Sequence, residues 1–251
     1  MGKIIAVTSQ KGGVGKTTTV VNLGASLAIL GKKTLLVDTD PQGSIVANFQ
    51  IDDYEVQNGI FDVIVNKVLM TDAIINLGIE NLEIVPSNVR NEKQEVDLFT
   101  HGLQKHILKS ILATIKEDYD YILLDCPPSL GTMTLNALAA ADSIIIPVQP
   151  EYFAIRALGR FIKTIRRFGQ ESNPKLKLEG ILITLYDKRL KQSKEIHQEL
   201  KNGFQDFLFD TIIPRNSKLS EAPSYGKPAA FFDVSSPGSV GYLKLAEEII
   251  Q

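Results

Sequence analysis

The chain has 251 residues, of which 44% are hydrophobic and 22% charged, and its formal net charge is −2. That composition is that of a globular protein and excludes a disordered or low-complexity chain; the length suits one large α/β domain. No apolar run approaches the roughly 20 residues of a bilayer span, and the lone Cys126 excludes an internal disulfide and a cysteine-only metal cluster.

The first apolar run, residues 3–8, reads as a buried strand at the N-terminus, where a secreted chain would carry a signal peptide. The expected location is therefore cytoplasmic. The strand leads into Lys11-Gly12-Gly13-Val14-Gly15-Lys16-Thr17-Thr18 and then into a helix over 16–30 that Gly31 ends. Strand, glycine-rich loop and helix in that order make a phosphate-binding loop. The common pattern G-x-x-x-x-G-K-[ST] has glycine where this chain has Gln10; Gly15, Lys16 and Thr17 supply its end. Backbone N–H groups at a helix N-terminus offset the charge of a triphosphate. Lys16 reaches the β- and γ-phosphates, and the Thr17 hydroxyl is a Mg²⁺ ligand. The unusual feature is a second lysine, Lys11, at the start of the loop.

The next strand, 34–38, ends in Asp38-Thr39-Asp40-Pro41-Gln42-Gly43. Asp40 is placed to orient an attacking water or accept its proton, and Asp38 to support Mg²⁺ or the loop. A strand at 82–86 and a helix over 106–116 follow, then a strand at 121–125. The run Tyr121-Ile122-Leu123-Leu124-Asp125 matches a Walker B strand, whose carboxylate holds Mg²⁺ through water. Further strands fall at 143–148, 180–185 and 211–214, with helices over 132–141, 154–168, 191–202 and 239–250. The strands are continuously apolar, as in a parallel sheet buried on both faces. Alternation with helices predicts a three-layer α/β/α fold, a mostly parallel sheet of seven or eight strands, with ligands at the strands' carboxyl ends. No linker or repeat divides residues 1–251.

Charge is unevenly spread. Residues 153–227 carry a net +7 and the remainder −9, so the basic part suits an anionic polymer or surface. No aromatic stacking platform accompanies it, which favours duplex over single strands.

The motifs K-G-G-V-G-K-T-T, V-D-T-D-P-Q-G and L-L-D-C-P-P-S-L-G together resemble the ParA/Soj family of partition ATPases, within the ParA/MinD group with a deviant Walker A loop. The resemblance continues through Pro147-Val148-Gln149-Pro150-Glu151-Tyr152, Leu185-Tyr186-Asp187-Lys188-Arg189, and Ile213-Pro214-Arg215-Asn216-Ser217-Lys218-Leu219-Ser220-Glu221-Ala222-Pro223, and so spans nearly the whole chain. It implies an ATPase with Mg²⁺ whose Lys11 crosses a homodimer interface to the partner's nucleotide. Lys16 and Thr17 then bind phosphate and Mg²⁺, Asp40 serves the hydrolytic water, and Asp125 is the Walker B carboxylate. Pro214 and Asn216 match the segment along the adenine. Gly12 sits where a side chain would obstruct the second subunit. Arg189 and Lys218 match positions that bind DNA without sequence preference, with Lys188 and Arg215 as neighbouring candidates. The resemblance also implies release of ATP-bound dimers from the nucleoid by hydrolysis to ADP, stimulated by a ParB-type centromere-binding protein.

The chain starts at its first strand, so an N-terminal helix-turn-helix extension is not expected. The segment 243–251 is acidic where a MinD-like membrane ATPase, the main alternative, has a basic amphipathic tail; no membrane partner is expected. One cysteine is too few for a nitrogenase iron-protein cluster site. No N-K-x-D base-reading motif is present, so ATP is expected over GTP.

Overall fold

The computed structural model describes residues 2–251. Eight strands form one sheet: β1 Lys3–Val7, β2 Thr34–Asp38, β3 Ile75–Ile79, β4 Leu82–Val85, β5 Tyr121–Asp125, β6 Ser143–Val148, β7 Lys177–Tyr186 and β8 Leu208–Pro214. Their spatial order is β3-β4-β2-β5-β1-β6-β7-β8. Every neighbouring pair is parallel except β3 and β4, which are antiparallel.

Alternate side chains of each strand face opposite layers. Ile5, Val7, Leu36 and Leu123 pack with the helices Lys16–Ile29 and Pro237–Ile250 on one face. Ile4, Ala6, Val37 and Leu124 pack with the helices Ile107–Leu112, Thr132–Ala140, Ala154–Ser172 and Lys191–Phe204 on the other. Both faces are covered, which is why the central strands read as unbroken apolar runs.

The register positions the site. Val7 of β1 pairs with Asp125 of β5, and Asp125 pairs with Asp38 of β2. The phosphate-binding loop and both aspartates therefore leave the sheet at one level, at the carboxyl ends of three adjacent strands.

Besides the short helices Ser44–Ala47, Ile60–Ile64, Ser217–Glu221 and Ala229–Phe232, β3 and the helix Glu92–Gly102 were not expected from sequence. β3 contains Gly78 at φ +68° and is followed by Asn81 at φ +63°, so its short alternating pattern reads as a turn. The helix Glu92–Gly102 is mostly polar and buries only Leu98 and Gly102; Asn91 caps it by accepting from the Gln94 N–H at 3.0 Å. The helix expected over 106–116 is shorter, Ile107–Leu112, and gives way to tighter turns in which the Thr114 and Ile115 N–H groups donate to the Ile111 and Leu112 carbonyls at 3.1 and 3.2 Å. The last helix, Pro237–Ile250, buries Tyr242, Leu245, Ala246 and Ile249 against the sheet, as the acidic tail suggested. No helix among the described residues is long and apolar enough to cross a membrane.

Candidate nucleotide-binding site

The loop between β1 and the helix Lys16–Ile29 uses Gly13 at φ +74° and Gly15 at φ +88°. These left-handed conformations are strained for residues with a Cβ, so the glycines let the backbone fold into an anion-binding turn. The Thr184 hydroxyl donates to the Val14 carbonyl at 2.7 Å and pins the loop to β7. Lys16 is 8% exposed and points into the protein, whereas Lys11 is exposed at the rim. Gly12 and Gly13 are exposed beside it, and Thr18 is half-buried in the first helical turn.

Thr17 and Asp125 meet on the floor. The Thr17 hydroxyl donates to Asp125 Oδ2 at 2.6 Å. The other carboxylate oxygen, Oδ1, is buried without a hydrogen-bond partner. Burial pushes the Asp125 carboxyl up to about 7; the Asp40 charge adds to this, and the Thr17 hydroxyl and Lys16 act against it. A buried oxygen of this kind is satisfied by a cation or its bound water. The donor set therefore fits Mg²⁺ held by Thr17, water on Asp125 and phosphate oxygens.

Asp38 is fully buried, and both its oxygens are engaged. Oδ1 accepts from the Asp40 N–H at 3.1 Å and Oδ2 from the Ile45 N–H at 2.8 Å. Burial, then the nearby Asp125 charge, raises its pKa well above the usual carboxylate range. Asp40 is half-buried at the mouth of the site and accepts from the Gln42 N–H at 3.0 Å. Thr39 ties this turn to β5: its N–H and hydroxyl both donate to the Asp125 main-chain carbonyl, at 3.0 and 2.6 Å.

The Lys11 ammonium forms an ion pair with Glu151 of its own chain. The spacing of Glu151 from Lys11, 140 positions, gives no hint of the contact. Beside the pair lies a mainly apolar hollow of about 220 Å³ between the loop and the helix Ala154–Ser172, lined by Val14, Val148, Phe153 and Leu158.

Pro214 ends β8, and Asn216 precedes the short helix Ser217–Glu221. Asn216 Oδ1 is buried without a hydrogen-bond partner. Lys188, Arg189 and Arg215 line one surface cleft with Lys244, a residue the sequence reading passed over. Arg189 donates to both carboxylate oxygens of Asp187 at 2.9 and 2.7 Å and holds that carboxyl far below its usual range. Lys218 lies outside this cleft, paired with Glu221 at 2.6 Å and 5.5 Å from the Phe232 ring centre.

A glycine-rich loop with its lysine, a hydroxyl and a buried carboxylate at the carboxyl edge of a parallel sheet define a P-loop nucleoside triphosphatase. Comparisons with known proteins narrow this. The family described as AAA domain matches residues 2–178. Sporulation initiation inhibitor protein Soj of Bacillus subtilis (strain 168) is 45% identical over 249 residues, covering 99% of this chain and 98% of that protein. Chromosome-partitioning ATPase Soj of Treponema pallidum (strain Nichols) is 43% identical over 252 residues, covering 100% of this chain and 98% of that protein. A crystal structure of cobyrinic acid a,c-diamide synthase from Mycobacterium smegmatis with bound ADP and magnesium is similar at TM-score 0.82 and 33% identity, covering 100% of this chain and 94% of that one. The chain belongs to the ParA/Soj family of partitioning ATPases.

Proposed function

We propose that the protein is an ATP-switched homodimer that holds duplex DNA non-specifically while ATP is bound and lets go after hydrolysis. The observation that carries this reading is the exposed tip Lys11-Gly12-Gly13 above a buried floor. A Cβ at Gly12 would meet nothing within 4 Å in its own chain, so nothing within the chain requires glycine there. Two Mg–ATP units brought face to face repel each other, and a lysine contributed from each side offsets this. In the free chain Lys11 is held by Glu151, and dimerisation exchanges that partner for the other subunit's phosphates.

In this reading Lys16 and the loop amides bind the β- and γ-phosphates, and Thr17 and Asp125 hold Mg²⁺, which neutralises charge on the phosphates. Asp40 orients the hydrolytic water. Asp38 shapes the turn that carries Asp40, since both its oxygens are already spent on backbone N–H groups. Asn216 and Pro214 lie along the adenine. Lys188, Arg189, Arg215 and Lys218 bind DNA phosphates, and dimerisation doubles that array, which ties DNA binding to ATP. The finer features of the family complete the reading: slow hydrolysis, stimulation by a ParB-type protein, and residence on the nucleoid. The inward apolar face of Pro237–Ile250 argues against a MinD-like membrane tail.

The test is binding to a random-sequence duplex with ATP, ADP or no nucleotide at two salt concentrations. ATP-dependent, salt-sensitive binding is expected. Absence of binding in every state would leave the ATPase and remove the DNA switch.

A further inference from the structure

The helix Ala154–Ser172 turns Leu158, Phe161, Ile162 and Ile165 into the core. Arg156, Arg160, Lys163 and Arg167 are exposed on it. At 3.6 residues per turn these four fall within about 60° of arc, directly opposite the buried face, in a stripe roughly 16 Å long. The helix contains a single carboxylate, Glu171. Among the described residues no carboxylate lies within ion-pair distance of any of the four. Arg189 and Lys218, by contrast, already hold carboxylate partners. Like charges three and four residues apart repel along a helix, so the stripe weakens the isolated fold unless an anion covers it.

We propose that this stripe is a second phosphate-binding surface for duplex DNA. It lies on the sheet face opposite Lys218: the stripe's helix packs in one core layer, and Leu219 packs in the other. Three features favour a duplex. Arginines predominate, and their planar forks match phosphate oxygens. The exposed aromatics Tyr152 and Phe153 sit only at the helix's N-terminal end and no large apolar side chain is exposed among the four cations, whereas a protein partner needs such anchors at its centre. The helix's apolar face is buried, so it has nothing to insert into a lipid surface. With cations on both faces, one protomer can hold two duplex segments at once. The choice of ligand rests on the DNA reading above; the residues do not.

The test compares the full-length chain, an Arg156→Gln/Arg160→Gln/Arg167→Gln variant, its all-lysine counterpart, and Arg189→Ala/Lys218→Ala. Duplex affinity is measured across salt concentrations, and bridging is read as capture of a free labelled duplex by a bead-tethered one. The glutamine variant is expected to lose bridging, and its log–log salt slope is expected to fall by about 0.9 for each phosphate contact removed. The lysine variant is expected to keep both. An unchanged slope with undiminished bridging in the glutamine variant would overturn the proposal. If Arg189→Ala/Lys218→Ala alone abolishes duplex binding, the stripe is refuted and the DNA reading stands. If wild type binds no duplex in any nucleotide state, both fail. Stripe-dependent binding of polyglutamate with no stripe-dependent duplex binding would assign the surface to an acidic protein partner and refute the proposal.

Discussion

The floor and the rim of the phosphate-binding loop are built in opposite ways. On the floor, Lys16 is 8% exposed, Thr17 is bonded to Asp125, and Thr184 fixes the Val14 carbonyl. At the rim, Lys11, Gly12 and Gly13 stand in solvent; Glu151 pairs with the Lys11 ammonium and the Ser9 hydroxyl donates to the Lys11 carbonyl at 3.0 Å. A floor finished within one chain offers a ligand fixed dipoles with little reorganisation. A rim held by little more than one exposed ion pair is open to contacts from outside. Chemistry on the floor is therefore expected to survive changes at the rim, while assembly is not.

The strongest test of that division is Gly12→Val. Gly12 has an ordinary φ and open space around it, so the fold and nucleotide binding should persist. The ATP-dependent dimer should vanish, with a monomer by light scattering at saturating ATP. An unchanged dimer would break the division. Lys16→Gln is the converse. It removes charge-assisted bonds to phosphate and should weaken nucleotide binding about a hundredfold, roughly 3 kcal/mol, in titration calorimetry. Retained affinity would show that the loop amides suffice.

Asp125→Asn sharpens the description of the floor. Asp125 has a folded pKa of about 7, against roughly 3.9 for an unfolded aspartate. A raised folded value means that its contribution to stability is complete below about pH 4 and is lost as pH climbs to about 7. In the absence of nucleotide and Mg²⁺, wild type should lose roughly 1–3 kcal/mol relative to Asp125→Asn between pH 5 and 7.5, followed by urea unfolding. A constant difference across that window would show that the carboxylate is ionised throughout. The variant should also lose Mg²⁺-dependent tightening of nucleotide binding.

The smallest effect concerns the outer surface. Arg189→Ala removes a largely exposed guanidinium from its pair with Asp187, so thermal stability should fall only slightly. DNA affinity should fall, with a salt slope reduced by about 0.9. ATPase activity without DNA should be unaltered. A change in nucleotide binding instead would couple this loop to the floor.

Much of the fold was legible. Strands at 34–38, 121–125 and 143–148 are found at the expected bounds, because strands buried on both faces leave unbroken apolar runs. The loop was legible because glycine, lysine and threonine stand next to one another in the chain. β3 and the helix Glu92–Gly102 were not, since an edge strand and a solvated helix bury too little to leave a pattern. The Lys11–Glu151 pair and the Thr39 and Thr184 anchors were also invisible. Each joins residues far apart in sequence, 140 positions in the case of Lys11 and Glu151.

What the sequence determined by itself is the local chemistry: which groups can bind phosphate and magnesium, and which segments must be buried. Local spacing and side-chain polarity suffice for that. What tertiary structure alone decided is how those groups are shared out. The register of β2, β5 and β1 brings Asp38 and Asp125 to one level beside the loop. From that placement Asp38 spends both oxygens on the backbone, while Asp125 keeps one free. The two carboxylates look alike in the chain, each at the end of an apolar strand. Strand pairing and burial, which act between distant segments, make one a brace and leave the other an unpaired oxygen.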